Sequence, residues 1–225
     1  MVVKPISWSF SALEQFRNCP KQYQEVRVLK NFKEEYTDER KWGDRVHKSL
    51  ADYLSKGVPL PEGMTVWQEI ADQFRSLKGT LYVENQFAID AQFRPCGWKD
   101  WNNAWLRGIV DALWVDGTVA KAIDWKTGKK KPNSDQLALF ALLVFFHFPE
   151  VQTVRTMFVW LKVADRTRED YTRDQIPALW ALFANDLQRL SNAMETDTWI
   201  PRTSGLCSNW CPVVTCQYNG KRRNW

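Results

Sequence analysis

The dipeptide Asp116-Gly117 joins two apolar runs, residues 104–115 and 118–125. Asp-Gly between such runs is among the strongest short-range signals for a two-residue β-hairpin. If these two residues form the loop, Val115 pairs with Thr118, Asp111 lies opposite Ala122, and Asp124 is the diagonal neighbour of Asp111. Diagonal neighbours on one sheet face are about 7–8 Å apart, within reach of a shared cation. Lys126 is two residues beyond Asp124 and points to the same face. A three-residue loop would instead send Asp111 and Asp124 to opposite faces. In the two-residue register Asp111 shares its face with Ile109 and Leu113, and Asp124 sits in the mostly apolar stretch Ala122-Ile123-Asp124-Trp125. Carboxylates in such surroundings are costly unless paired or metal-bound. Hard oxygen ligands suit Mg²⁺ or Mn²⁺. The plain alternative is a pair of surface acids, one neutralised by Lys126.

The rest of the chain predicts helices before and after these strands. Ser7-Trp8-Ser9-Phe10-Ser11 offers hydroxyl caps for a helix carrying Leu13, Phe16 and Arg17, and Cys19-Pro20 interrupts it. Helical spacing marks residues 43–56, more weakly 64–78, and an amphipathic stretch over 174–194. Ser134 can cap a strongly apolar helix running to about His147. Residues 81–93 and 151–163 complete the strand-like segments. Helices, then strands, then helix–strand–helix predict an α/β fold: a mixed central sheet flanked by helices, with an N-terminal helix and a cysteine-containing tail. One domain over residues 1–225 is expected, divided into a helical segment 7–78, a core 79–196 and a tail 201–225.

Composition narrows the classes. With 44% hydrophobic and 25% charged residues, the chain can bury a core. The longest apolar run, residues 137–146, is half of the roughly 20 residues that a membrane-spanning helix needs. The first residues, Met1-Val2-Val3-Lys4-Pro5, do not read as a signal peptide, so a soluble cytoplasmic protein is expected. A net charge of +5 permits a nucleic-acid partner without demanding one. Most of the 13 Trp belong to the core by their apolar area. Cys207, Cys211 and Cys216 crowd the last 20 residues, and in a cytosolic chain such a cluster points to metal rather than to disulfides.

At this point the residues resemble a known family. Gly108-x-x-Asp111 followed by Asp124-Trp125-Lys126-Thr127-Gly128-Lys129 is similar to the core of the PD-(D/E)xK nuclease superfamily, and specifically to its RecB-like branch. Further segments agree in order: Phe10-Ser11-x-Leu13 with Cys19-Pro20-x-x-Tyr23, then Gly43-x-x-x-His47, and Gln136-Leu137-x-x-Phe140. Cys19 together with Cys207, Cys211 and Cys216 looks like the iron–sulfur clasp of the CRISPR-associated and helicase-linked members. The resemblance implies that Asp111 and Asp124 hold the cation, with His47 and the Trp125 carbonyl as further ligands. It implies that Lys126 positions or deprotonates the attacking water, and that Gln136 contacts the scissile phosphate or orders the lysine. Phe140 stands where the family has tyrosine, so the hydroxyl found near its substrate is missing. Glu84 is a candidate extra carboxylate, against the reading of a solvated strand-edge acid. The four cysteines imply a 4Fe–4S cluster, with zinc or no ligand as alternatives that spacing alone leaves open. Cys96 is left over.

The basic run Lys129-Lys130-Lys131, directly after the second acid, is either a solvated loop or a phosphate-contacting element, and Lys221-Arg222-Arg223 offers the same choice. The implied activity is a metal-dependent deoxyribonuclease, an exonuclease on single-stranded or unwound DNA in replication, recombination or repair, in a phage or bacterial setting. The 225 residues contain no G-x-x-x-x-G-K-[ST] loop, so unwinding would come from a helicase or recombination partner. The competing readings are a non-catalytic nucleic-acid-binding protein on the same scaffold and a zinc-binding interaction module built on the terminal cysteines. Strand polarity and oligomeric state are not legible.

Overall fold

The computed structural model describes residues 6–130 and 135–221. In chain order the elements are α1 (Phe10–Asn18), α2 (Pro20–Tyr23), a π-helical turn (Gln24–Val28), α3 (Asp38–Lys56), α4 (Gln68–Arg75), β1 (Thr80–Ile89), β2 (Leu106–Asp116) and β3 (Val119–Lys126). They continue with α5 (Gln136–His147), β4 (Thr153–Trp160), β5 (Asp165–Thr172), α6 (Ile176–Thr196) and α7 (Leu206–Asn209). The five strands form one mixed sheet in the order β1-β2-β3-β4-β5, an α/β fold with helices flanking the sheet. Only β3 and β4 are parallel, and α5 makes the crossover between them. Residue contacts divide the chain into one unit of Asp38–Leu182 with the segment up to Ser7, and a second of Trp8–Thr37 with Phe183–Trp225.

In the first unit, α3 and α4 cover one side of the sheet. Val46, Leu50, Tyr53, Ala71 and Phe74 pack with Ala112, Trp114, Ile123 and Trp125 in one buried cluster. Each large side chain so buried contributes about 1.5–3 kcal/mol. Helix α5 is buried throughout positions 137–145, which is why it is apolar on every face. It lies so close to β2 that a Cβ on Gly108 would come 2.5 Å from Leu143 Cδ1. A side chain at the glycine of the G-x-x-D pattern would displace the tip of Leu143. Asp135 occupies the helix N-cap position; the expected cap, Ser134, lies outside the described residues.

The hairpin turns one step later than expected. Asp116 pairs with Val119, leaving Gly117-Thr118 as the loop. Gly117 has φ +55° at the first central position, the type II′ arrangement, which keeps Asp116 in the ladder. Register therefore differs by two from the Val115–Thr118 pairing, with its parity unchanged. The last pair at the open end is Ala112 with Ile123. Continued one step, the register sets Asp111 directly across from Asp124 rather than across from Ala122.

The expected strict alternation fails at Asp111. On β1, Tyr82 and Phe87 both meet the Phe148 ring, at 5.4 and 6.2 Å, although five residues apart in a strand should face opposite ways. Pairing is regular on both sides, Val83 with Ala112 and Asn85 with Val110. Between them Glu84 takes φ +49°. The faces exchange there, so Ile109 is 40% exposed while Leu113 is fully buried. Strand β5, Asp165–Thr172, had no apolar signal because an edge strand can be charged throughout, and this one is mostly so.

The second unit is bound by aromatic rings and ion pairs. Ser9 Oγ caps α1 by accepting from the Ala12 N–H at 3.3 Å. Phe16 meets Tyr23 edge-on at 5.7 Å, and Tyr23 stacks on Trp199 at 6.0 Å. Arg17 Nε donates to Asp186 at 2.7 Å. Among the described residues no helix is long and apolar enough to cross a membrane.

Candidate active site

Three adjacent strands and one helix bring the titratable groups together. Asp111 Oδ2 accepts the Trp125 N–H at 2.7 Å and lies 3.1 Å from His47 Nδ1 on α3. The side chain thus takes an N–H that the strands, parting here, no longer pair with backbone. Asp124 is buried on β3. Its Oδ2 is 2.7 Å from Lys126 Nζ, an ion pair without hydrogen-bond alignment, and its Oδ1 accepts from Gln136 Nε2 at 3.2 Å. Lys126 also donates to Gln136 Oε1 at 2.9 Å and lies 4.6 Å from the centre of the Phe158 ring. Lys126, Asp124 and Gln136 close a triangle that holds the ammonium in one place.

Negative charge exceeds its compensation. Asp124 is pushed well above the usual carboxylate range by burial and then by the charge of Asp111, against the pull of Lys126 and His47. Glu84 rises to about 7, first through loss of surrounding water and then through Asp111. Burial works to lower His47, but its hydrogen bond to Asp111 and the charges of Asp111, Asp124 and Glu84 prevail and raise it to about 9. Carboxylates with an imidazole are the donor types that hold divalent ions in this chemistry. The residues therefore fit a metal.

Among the described residues, only His47, Glu84 and Asp111 bring three ligand atoms within 4.8 Å of one another. Of the expected set of His47, Asp111, Asp124 and the Trp125 carbonyl, His47 and Asp111 stand together, Asp124 is engaged with Lys126 and Gln136, and Glu84 joins the first two. Sequence reading left Glu84 undecided because it is 27 positions before Asp111; only the β1–β2 register sets it opposite that residue. The Trp125 indole is buried in the core, 5.3 Å from the Phe74 ring. Phe140 is buried as well. Lys129 is exposed, and Lys130 pairs with Asp165 at 2.5 Å. Lys131, Arg222 and Arg223 lie outside the described residues.

In the second unit Cys19, Cys207, Cys211 and Cys216 line one recess, together with Pro201, Arg202 and Leu206. Burial raises the Cys211 thiol, and the charges of Cys19, Cys207 and Cys216 add to the rise. Short turns carry the tail sulfurs: Cys216 N–H donates to the Val213 carbonyl at 3.1 Å, and Gly220 N–H to the Cys207 carbonyl at 2.9 Å. The Arg202 N–H donates to Cys19 Sγ at 3.4 Å.

Known proteins resemble the chain in fold and in family. No curated protein matches the chain. Among solved structures, a "Putative exonuclease" from Eubacterium rectale is similar in fold, with a TM-score of 0.55 at 11% identity over 89% of this chain and 85% of that one. The protein SSO0001 has a TM-score of 0.50 at 14% identity over 96% of this chain and 88% of that one. Residues 7–216, from before α1 to the last cysteine, match the PD-(D/E)XK nuclease superfamily, and the chain belongs to it.

Proposed function

We propose that the protein is a divalent-metal-dependent DNA nuclease, an exonuclease working on the ends of single-stranded or unwound DNA. The observation that carries this reading is the assembly of Asp111, Asp124, Lys126, Gln136 and His47 where the β2–β3 ladder ends. Asp111, Asp124, His47 and the Trp125 carbonyl would hold Mg²⁺ or Mn²⁺, which would supply polarisation of a phosphodiester oxygen and a water of lowered pKa. Only the ionised carboxylates and the neutral imidazole would hold the cation, so binding would strengthen as pH rises. Lys126, fixed by Asp124 and Gln136, orients the attacking water and sets its positive charge against the charge that grows on phosphorus. Gln136 is the positioning residue, since it touches both members of the Lys126–Asp124 pair. Lys129 and Lys130 contact the backbone of the incoming strand. Unwinding is supplied by a separate helicase or recombination protein.

The test is degradation of end-labelled linear and circular DNA with Mg²⁺ or Mn²⁺. Asp124→Ala and Lys126→Ala are expected to lower the rate at least about 10²-fold, a magnitude typical for loss of one transition-state-stabilising group. Equal rates in all three proteins would overturn the mechanism, and cutting of the circle would replace end-processing by endonuclease action.

We also propose that the four cysteines hold a 4Fe–4S cluster that staples the start of the chain to its tail. In support, they share a recess, yet no three of their sulfurs lie within 4.8 Å of one another. A tetrahedral zinc with Zn–S bonds of about 2.3 Å would draw them to roughly 3.8 Å. Anaerobic purification with iron assay and absorption spectrum decides; a colourless, iron-free, folded protein overturns the cluster.

A further inference from the structure

Glu84 has no part in the roles assigned so far, yet it is placed where a ligand belongs. It falls between the pairs Val83–Ala112 and Asn85–Val110, hence opposite Asp111 on β2. Asp111 in turn stands opposite Asp124 when the β2–β3 register is continued. Three carboxylates thus form a row perpendicular to three neighbouring strands, with Asp111 in the middle. Glu84 brings an oxygen within 4.8 Å of ligand atoms of both Asp111 and His47. Its carboxylate makes no hydrogen bond or ion pair with a described residue, whereas Asp111 and Asp124 are both engaged. A cleft of about 550 Å³, lined by Asp44, His47, Lys48, Asp52, Lys56 and Glu84, opens on this side and gives water and ions access.

We propose that Glu84 is a cation ligand, forming with His47 and Asp111 a seat for Mg²⁺ or Mn²⁺ on the β1 side of Asp111. The inference rests on the metal-dependent reading above and adds a residue from a third strand to it. The seat is independent of Lys126, whose ammonium lies with Asp124 and Gln136 on the far side of Asp111. Asp111 then serves both sides of the row, which explains why the middle strand carries the acid that touches His47.

Mn²⁺ titration followed by the electron paramagnetic resonance of the free ion, on full-length wild type, Glu84→Gln and Asp124→Asn, tests this without relying on catalysis. Glu84→Gln is expected to weaken Mn²⁺ binding by about tenfold or more, or to remove one ion per chain, since even partners that only support a ligand contribute 10–100-fold. Glu84→Gly controls for folding. Glycine adopts the φ of +49° found here without steric cost, so the metal-free variant is expected to melt no lower than wild type while binding Mn²⁺ as weakly as Glu84→Gln. Unchanged Mn²⁺ affinity and stoichiometry in both Glu84 variants, with binding lost in Asp124→Asn, overturns the Glu84 seat and leaves the proposed function standing. Unchanged binding in all three overturns both.

Discussion

The acid row and the cysteine recess are assembled by opposite means. Glu84, Asp111, Asp124 and Lys126 sit on consecutive strands of one sheet, and Gln136 opens the helix that follows. Backbone ladders on both sides position these groups, so the sheet itself bears the repulsion among the acids. Cys19 and the three tail cysteines are separated by nearly the whole chain, and the tail sulfurs ride on isolated turns and a four-residue helix. Few apolar contacts are available to them: Leu206 and Trp210 are 50% and 71% exposed. A region so poor in buried surface is of the kind that a metal cross-link would order, as proposed above. One site is positioned by the fold; the other is proposed to be made by its metal.

That contrast can be broken most directly at the recess. Replacing Cys207 and Cys211 by Ser is expected to cost more than about 4 kcal/mol, the scale on which loss of a structural metal registers, while leaving Mn²⁺ binding at the sheet intact. Thermal unfolding beside Mn²⁺ titration reads both, and a loss under about 1 kcal/mol would mean that no cross-link orders the tail. A smaller effect belongs to Gly108→Ala. The new methyl would come 2.5 Å from Leu143 Cδ1, the tip of that side chain, so Leu143 must turn aside in a packed core, at up to about 3 kcal/mol. Urea unfolding measures it, and a neutral result would show that Leu143 has room to turn.

Protonation sharpens the same comparison. Glu84 titrates near 7 in the fold and near its ordinary 4.5 in the unfolded chain. Its contribution is therefore full below about pH 4.5 and disappears as pH rises through 7. His47, raised to about 9, adds a contribution of the same sign that is lost between 6.5 and 9. Metal-free wild type should thus lose stability relative to Glu84→Gln between pH 5 and 8. The difference stays under about 1 kcal/mol because Glu84 is open to screening water. Added Mn²⁺ should reverse the order. Chemical unfolding at the two pH values, with and without Mn²⁺, is the measurement. Smallest of all, Lys130→Ala removes an exposed pair with Asp165 and should change stability by less than about 0.5 kcal/mol. If Lys130 contacts DNA, the same variant reduces the salt dependence of binding by about one counterion.

Much of this was legible from residues alone. The apolar runs around Asp116-Gly117, the helix signals at 43–56 and 174–194, and the G-x-x-D and D-x-K spacings are local properties, governed by side-chain periodicity and turn chemistry within a few residues. They were enough for the order of the main elements other than β5, and for placing Asp124 and Lys126 on one face. The turn itself shows the limit of local reading. Asp-Gly could occupy both central positions or supply only the glycine, and the second arrangement prevails, with Gly117 at φ +55° and Asp116 retained in the strand.

What the tertiary structure alone decided lies between segments. That Glu84 meets Asp111 depends on the β1–β2 register, across a connection of 16 residues from Asp90 to Trp105 whose sequence carries no such information. The exchange of faces at that row depends on a left-handed residue that intrinsic preference would not place on a glutamate. The charged strand β5 exists because β4 offers it an edge. Sequence periodicity specifies what each segment can bury; which segments meet, and at which residue, is settled by the packing of the whole sheet, where the ladder energy of many pairs outweighs the preference of any one.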